Sequence, residues 1–430
     1  MPRVSSRTWA LLLRTRVHRP ILFTQFLVLA VAIAAPGPVR AEQPGLTERE
    51  AVAAALSRPA WMEAETGRVA VAESDVTEAG LMPNPVLAFG RDQVGMAGGD
   101  ITERSVQISQ TFDLSGRRSL RLEAADRRLE AERFDGRIRR LGIISEVRQA
   151  FAGALHRIGI QSALELWLRR VEEAAKVTTQ LAKAGEASGY DRRRIEREAH
   201  TARARLSVAR ADVVRSRDLL AALAGKTPAE ATRLTGDLFP DATPSLDVLQ
   251  ARLRERPDLA SLHAQTRAFE LEHQAAERGW IPDLTLGIGQ KNLNETVRSG
   301  SGPIVGMSFS VPLFDHGQAM QQRSLAQAQT VRAEHALALA KADAELRGAW
   351  HQANELRKAA LTYRLDVSDG GHNLSGAAEA AYHAGEAGLL ELLDAYRTEL
   401  DYSITELDLA LRARLAHVDL ETLSGVSSYE

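Results

Sequence analysis

The chain has no cysteine among its 430 residues. Disulfides, thiolate metal sites, thiol catalysis and acylation of an N-terminal cysteine are therefore excluded. After residue 41 it also lacks any run of about 18 apolar residues, so no transmembrane helix is expected in the mature chain. A basic surplus is missing too, since 54 basic residues meet 56 acidic ones. Setting aside six arginines before residue 42 leaves 48 against 56, a mildly acidic chain without a nucleic-acid footprint.

Catalytic constellations are absent as well. The eleven histidines are scattered, and His263 and His273, ten apart, do not share a helix face at ligand spacing. His316, in "DHGQ", reads as part of a helix cap rather than a ligand. No phosphate-binding loop, nucleophile elbow or zinc-protease helix occurs. No catalytic, cofactor or metal residue is assigned, and an enzyme is not expected.

What is present starts at the N-terminus. Arg3, Arg7, Arg14, Arg16 and Arg19 precede "ILFTQFLVLAVAIAA", and Val39 and Ala41 occupy the small positions of a cleavage site before Glu42. That pattern predicts an export signal over residues 1–41, to be left out of fold reasoning.

Helical periodicity then runs from about Thr47 to Leu81, Gly116 to Lys183 and Asp191 to Leu223. It resumes from Leu246 to Trp280, Gln318 to Ala384 and Leu389 to Leu423. Ile195, Ala199, Ala202, Leu206, Ala209, Val213, Ser216, Leu220 and Leu223 alternate steps of four and three, a coiled-coil seam. Many seam positions hold Ala or Ser, which predicts close helices and a slim core.

Two interruptions alternate with period two instead. Val106, Ile108 and Phe112 alternate with Ser105, Gln107, Ser109 and Thr111. Leu284, Leu286 and Ile288 alternate with Thr285, Gly287 and Gly289, and Val305, Met307, Phe309 and Val311 with Gly306, Ser308 and Ser310. Two hairpins of roughly nine-residue strands result, and nine to eleven residues is the length that crosses a bilayer when tilted. Val305, Met307, Phe309 and Val311 are the expected lipid-facing side, while Gln107 and Ser308 belong to a wet wall.

The two halves match. Pro59 answers Pro257, Pro83 answers Pro282, Gly116 answers Gly317, and the tetrapeptide AGEA occurs at Ala184 and again at Ala384. Landmarks repeating at separations of 198 to 201 predict a domain-sized duplication. The expected organisation is residues 42–225 as a first repeat of helix, β-hairpin, long helix and helix. Residues 226–245 connect it to a second repeat over residues 246–430.

A bilayer tolerates only closed barrels, and closure takes at least about eight strands. One chain supplies two hairpins, so copies must pool strands as a dimer, trimer or tetramer.

Over nearly all its mature length the sequence resembles the TolC family of outer-membrane efflux channels. The matching pieces are "LTEREAVAAALSRPA", "PNP", "TFDLSGRR", "VPLFDHG" and "AYHAGEAGLLELLDAYR". The resemblance implies a mainly α fold with a transmembrane β-barrel portion. A homotrimer shares a twelve-stranded barrel in the outer membrane above a periplasmic α-barrel of roughly 100 Å. It implies a passive conduit served by a periplasmic adaptor and an inner-membrane pump. "SQTFDLSGRRSL" resembles the heavy-metal branch most, which suggests metal cations or small toxic compounds as cargo.

The same resemblance implies site residues. The AGEA turns at Gly185 and Gly385 lie at the periplasmic tips, where an adaptor docks. Glu391 and Asp394 match an acidic ring at the periplasmic gate, and Tyr382 and Asp191 match a pair tying inner to outer helices. Ala387 stands where a gate arginine is expected, so one latch bond is missing. The competing reading is a periplasmic adaptor with coiled-coil hairpins, which needs a lipoyl-like β domain and usually one helical hairpin.

Overall fold

Thr47 opens the first helix with a reciprocal cap. Its hydroxyl accepts the Glu50 N–H at 3.3 Å, while the Glu50 carboxylate accepts the Thr47 N–H at 2.9 Å. The computed structural model describes residues 45–97, 99–295, 298–370, 374–425 and 429, and the expected export signal lies outside the described residues.

Along the chain come β1 (Leu46–Thr47), α1 (Glu48–Leu56), α2 (Pro59–Gly80), β2 (Val86–Met96), β3 (Gly99–Phe112), α3 (Arg117–Ala184) and α4 (Gly189–Ala224). The second half supplies β4 (Leu234–Thr235), α5 (Leu246–Arg252), α6 (Pro257–Glu277), β5 (Leu284–Asn294), β6 (Ser299–Phe309), α7 (Gln318–Gly370), α8 (Leu374–His383) and α9 (Leu389–Ser424). Helix, hairpin, long helix, turn and helix thus recur in both halves. Pro44–Glu430 nevertheless forms one compact unit, so the halves are parts of one body.

Two of the expected helices are split at matching places. Arg58 and Arg256 take extended ψ values of 128° and 135° because each precedes a proline. Pro59 and Pro257 then occupy the first helical turn, where a missing N–H is harmless. The small parallel pair of β1 and β4 joins Leu46 to Leu234 and Thr47 to Thr235. Two-residue strands carry no readable period, and the sequence gives no sign of them.

The larger sheet has the order β2-β3-β5-β6 and is antiparallel throughout. Its two edges, β2 and β6, have no further strand beside them among the described residues. One expectation is corrected here. Val311 lies beyond β6, which ends at Phe309 opposite Leu284. The next residue facing Val311 in that register is Pro282, which has no N–H to continue the ladder.

α3 spans 68 residues, about 100 Å at 1.5 Å per residue. Six of its sixteen buried residues are alanine, among them Ala124, Ala125, Ala131, Ala152 and Ala154, which lets neighbouring helices lie close there. The α4 seam is buried as read, from Ile195 through Val213 to Leu220, with Ser216 and Leu223 half-buried. The segment over residues 226–245 straps α7 by polar bonds. Trp350 donates to the Pro244 carbonyl at 2.9 Å, and Thr243 donates to Asn354 at 2.5 Å.

A buried charge network joins the ends of the two repeats. Arg148 on α3, 3% exposed, donates to Glu48 at 2.6 Å and also to Glu421 on α9. Arg414 reaches the other Glu48 oxygen, and Tyr429 donates to Glu48 at 2.9 Å. Burial opposes ionisation of Glu48, but Arg414 and Arg148 outweigh it and hold its carboxyl below the usual range. Glu421 is lowered likewise against burial, by His417 and Arg148.

Removing one partner leaves a buried charge unanswered, so Arg148→Met or Glu48→Gln should cost about 3–5 kcal/mol, read as a lowered Tm. With both carboxyls depressed, the network's stabilisation is complete above their ordinary value of 4.5. It is lost as pH falls through the lowered folded values. A Tm difference between wild type and Glu48→Gln that does not shrink below that pH contradicts the assignment.

Candidate functional site

Each AGEA turn ends a helix in the same way. Gly185 (φ +83°) and Gly385 (φ +75°) are left-handed. The N–H of Glu186 returns to the Leu181 carbonyl at 2.9 Å, and that of Glu386 to the Ala381 carbonyl at 2.9 Å. This doubled Schellman closure satisfies the last carbonyls of α3 and α8. A Cβ at either glycine would meet nothing within 4 Å, so backbone conformation rather than crowding demands glycine there.

The next helices start differently. Ser188 caps α4: its hydroxyl accepts the Asp191 N–H at 3.0 Å and donates to the Asp191 carboxylate at 2.7 Å. Gly388 stands in the same place before α9 and supplies no side-chain cap. The Glu391 carboxylate instead folds back over it, 2.7 Å from where a Cβ would sit. Asp191 and Glu391 are thus equivalent first-turn acids, each placed to favour a helix N-terminus.

Glu391 and Asp394 are exposed on one face of α9. Arg397 follows one turn later and grips Glu198 of α4 with two bonds, at 2.9 and 2.5 Å. Those bonds, then the nearby Asp394 and Asp401, raise its pKa against burial. The acid pair therefore has a cation close by. The structure does not join Tyr382 to Asp191. The Tyr382 hydroxyl meets Thr178 of α3 at 2.9 Å, and Asp191 is engaged by Ser188.

A second polar cluster ties α3 to α8 and α9. Arg170 forms an ion pair with Glu399 at 2.5 Å, lies 3.8 Å from Glu379 and stacks 5.9 Å from the Tyr396 ring centre. Burial, then the bond to Glu379, pushes the Tyr396 hydroxyl well above its ordinary pKa. Both clusters rim an apolar core built from Trp167, Leu206, Leu393 and Leu400. Arg397, Glu198, Arg170 and Thr178 escaped the sequence reading. Glu198 had a signal: it is a charged residue inside the Ile195–Ala199–Ala202 stripe, where only a paired acid is tolerated.

At the other end, register assigns the faces of the large sheet. Leu87, Ile108, Ile288 and Val305 form one cross-strand row, and Phe112, Leu284 and Phe309 another. This apolar face is open: Val305 is 82% exposed, Met307 69% and Phe309 49%. The opposite face carries Ser105, Gln107, Thr285, Gly287, Gly289, Gly306 and Ser308. There Thr111 bonds Thr285 at 2.8 Å. A Cβ on Gly287 would fall 2.1 Å from the Gln107 amide, and one on Gly289 2.3 Å from the Val106 carbonyl. Among the described residues no helix is long and apolar enough to cross a membrane. Nor is a group of three or more metal-ligating side chains placed to hold an ion there.

Comparison with known proteins agrees with this geometry. The family model described as "Outer membrane efflux protein" matches residues 54–226 and 248–426. The cobalt-zinc-cadmium resistance protein CzcC of Cupriavidus metallidurans is 27% identical over 340 residues, 76% of this chain and 79% of that protein. The nickel-cobalt-cadmium resistance protein NccC of Alcaligenes xylosoxydans xylosoxydans is 27% identical over 289 residues. That match spans 65% of this chain and 65% of that relative's length. Among solved structures, the outer membrane protein VceC of Vibrio cholerae superposes with a TM-score of 0.72 at 17% identity, covering 89% of this chain and 97% of that one.

β-Branched side chains are poorly tolerated at positive φ. Gly185→Val and Gly385→Val should each cost about 1–2 kcal/mol. Hydrogen exchange should show fraying confined to the ends of α3 and α8. Exchange unchanged at both turns would mean the left-handed residues are dispensable.

Proposed function

The chain belongs to the outer membrane efflux protein family, and from that premise we propose that it is the exit duct of a tripartite efflux system for metal cations. Family members are passive conduits rather than enzymes, and a match across both halves sets the adaptor reading aside. The observation that carries the proposal is the large sheet, with an exposed apolar face, a small polar face and two unpaired edges.

In hydrocarbon such edges are untenable, so copies close one another's sheets. Four strands per chain put β6 of one copy antiparallel to β2 of the next. A homotrimer then gives a twelve-stranded barrel, within the known range of even-stranded barrels. The two stretches matched by the family model support residues 42–225 and 246–430 as repeats joined by 226–245, and the basic-then-apolar pattern with its small-residue cleavage site supports 1–41 as a removed export signal. Cargo is read from relatives named for cobalt, zinc, cadmium and nickel resistance. The α3/α4 and α8/α9 turns are the docking points for a periplasmic adaptor, itself coupled to an inner-membrane pump. With Gly185→Val and Gly385→Val combined, metal resistance should fall while trimer yield holds.

Light scattering in detergent should give the mass of three chains. Met307→Asp or Phe309→Asp should block membrane assembly, because a charge on the lipid face costs up to about 2–4 kcal/mol near the midplane. A monomeric wild type, or normal insertion of both variants, contradicts the barrel.

Threefold symmetry would gather the Glu391 and Asp394 side chains around one axis as the gate. Such a ring attracts cations, tempered here by Arg397. In planar bilayers Glu391→Gln with Asp394→Asn should lower cation selectivity, and Tyr382→Phe, which removes the tie from α8 to Thr178 of α3, should raise conductance. Unchanged selectivity in the double variant removes these carboxylates from the gate.

A further inference from the structure

Near the outer end of the sheet's apolar face, two arginines stand directly opposite each other. Arg91 of β2 pairs in register with Arg104 of β3, which puts their Cβ atoms about 5 Å apart on one face. Both are exposed. The row continues through Asn292 of β5 to Ser301 of β6, so it reads Arg91, Arg104, Asn292, Ser301. It offers hydrogen-bond donors across the whole sheet and contains no acid.

Like charges directly opposite destabilise a strand pair unless a counter-ion joins them. Among the described residues no acid stands beside the pair: Asp100, on the same face but two rows further out, accepts from Gln93 at 3.0 Å. The adjacent acids, Asp92 and Glu103, pair with each other in register and so lie on the opposite face. There Glu103 is taken by Lys291.

Height along the sheet indicates what supplies the counter-ion. Arg104 lies eight residues from Phe112 on β3, about 27 Å along the strand and about 20 Å along the normal at a tilt of about 40°. Beyond Phe112, exposed Leu114, Trp280, Leu313 and Phe314 carry the apolar zone further down. The whole band is then about 25 Å tall, as in membrane barrels generally. The arginine row stands at its upper margin, at the level of lipid headgroups.

We propose that this row binds the phosphate of an outer-leaflet lipid headgroup, a phosphorylated glycolipid. Arg91 and Arg104 are its ion-pairing residues, and Asn292 and Ser301 are hydrogen-bonding partners. Guanidinium forks match phosphate oxygens two at a time. Directly beneath, Phe89 and Val106, then Leu87 and Ile108, offer apolar wall for acyl chains. A free anion would satisfy the arginines but leave that wall unused; a lipid satisfies both. In a chain with no cysteine to acylate, such a lipid adds a second attachment to the membrane. The site rests on the barrel reading above.

The test is native mass spectrometry of purified trimers titrated with bis-phosphorylated lipid A and with its dephosphorylated form. Wild type should bind the phosphorylated lipid at least about tenfold more tightly. Arg91→Gln with Arg104→Gln should abolish that preference while leaving trimer mass and outer-membrane fractionation unchanged. Arg91→Lys with Arg104→Lys, which keeps both charges, should retain most of the binding. Equal binding of the two lipids, or full retention by the Gln pair, overturns the proposal. So does inorganic phosphate alone binding as tightly as the lipid, which would mark a free-anion site. A wild type that forms no membrane trimer is a different failure, since it removes the barrel itself.

Discussion

The architecture depends on one constraint: a backbone N–H or C=O has no partner in hydrocarbon except another backbone. The four strands satisfy one another inside the sheet, but β2 and β6 each leave an eleven-residue edge open. The apolar side chains on the same strands are exposed too. A soluble protein would blunt such edges with charge, proline or a covering helix. Here Pro303 is the only proline in β6, and β2 has none. On the barrel reading proposed above, neighbouring copies extend these edges. An even number of strands per chain lets that extension stay antiparallel at every junction, which an odd number would not.

The same economy governs the helices. A wall of close helices needs small side chains at the contact, which is why α3 buries so many alanines. Each alanine removes little apolar area from water, so such a core is weakly stabilised per residue. Specific polar ties supply direction that the alanine stripe lacks. Arg148 fastens α3 to both α1 and α9, Arg397 fastens α9 to α4, and Arg170 holds α3 against α8 and α9. These arginines sit where helices from different hairpins meet. An alanine seam permits sliding, whereas a buried ion pair permits one register.

Legibility followed the length scale of each signal. Long amphipathic runs and period-two stretches placed all the major helices and the four long strands, because many residues vote on each. The split at Pro59 and Pro257 was visible only as a landmark, since periodicity continues smoothly across it. Val311 kept the alternation of β6 although Pro282 had already ended the ladder, so pattern outran hydrogen bonding. β1 and β4 were too short to have a pattern. The partners of the tip residues were least legible. Thr178 and Tyr382 lie 204 positions apart, and nothing local marks two hydroxyls as neighbours.

Duplication explains what the halves share, and divergence explains what they do not. Both turns keep the left-handed glycine and a first-turn acid, which are requirements of the helix ends themselves. Around that common frame the residues part. After the first turn come Tyr190, Arg192, Arg193 and Arg197, all exposed. After the second come Leu389, Leu392 and Leu393, all buried, with Glu391 and Asp394 exposed beside an exposed Leu390. One tip is therefore basic and ends a helix whose opposite face packs on α3. The other is acidic outside and more deeply packed, wedged against α3 and α4. An exact repeat would have served both tips with one chemistry. The two halves thus present two chemistries on one turn geometry, and the Arg397–Glu198 pair is the point where the two meet each other.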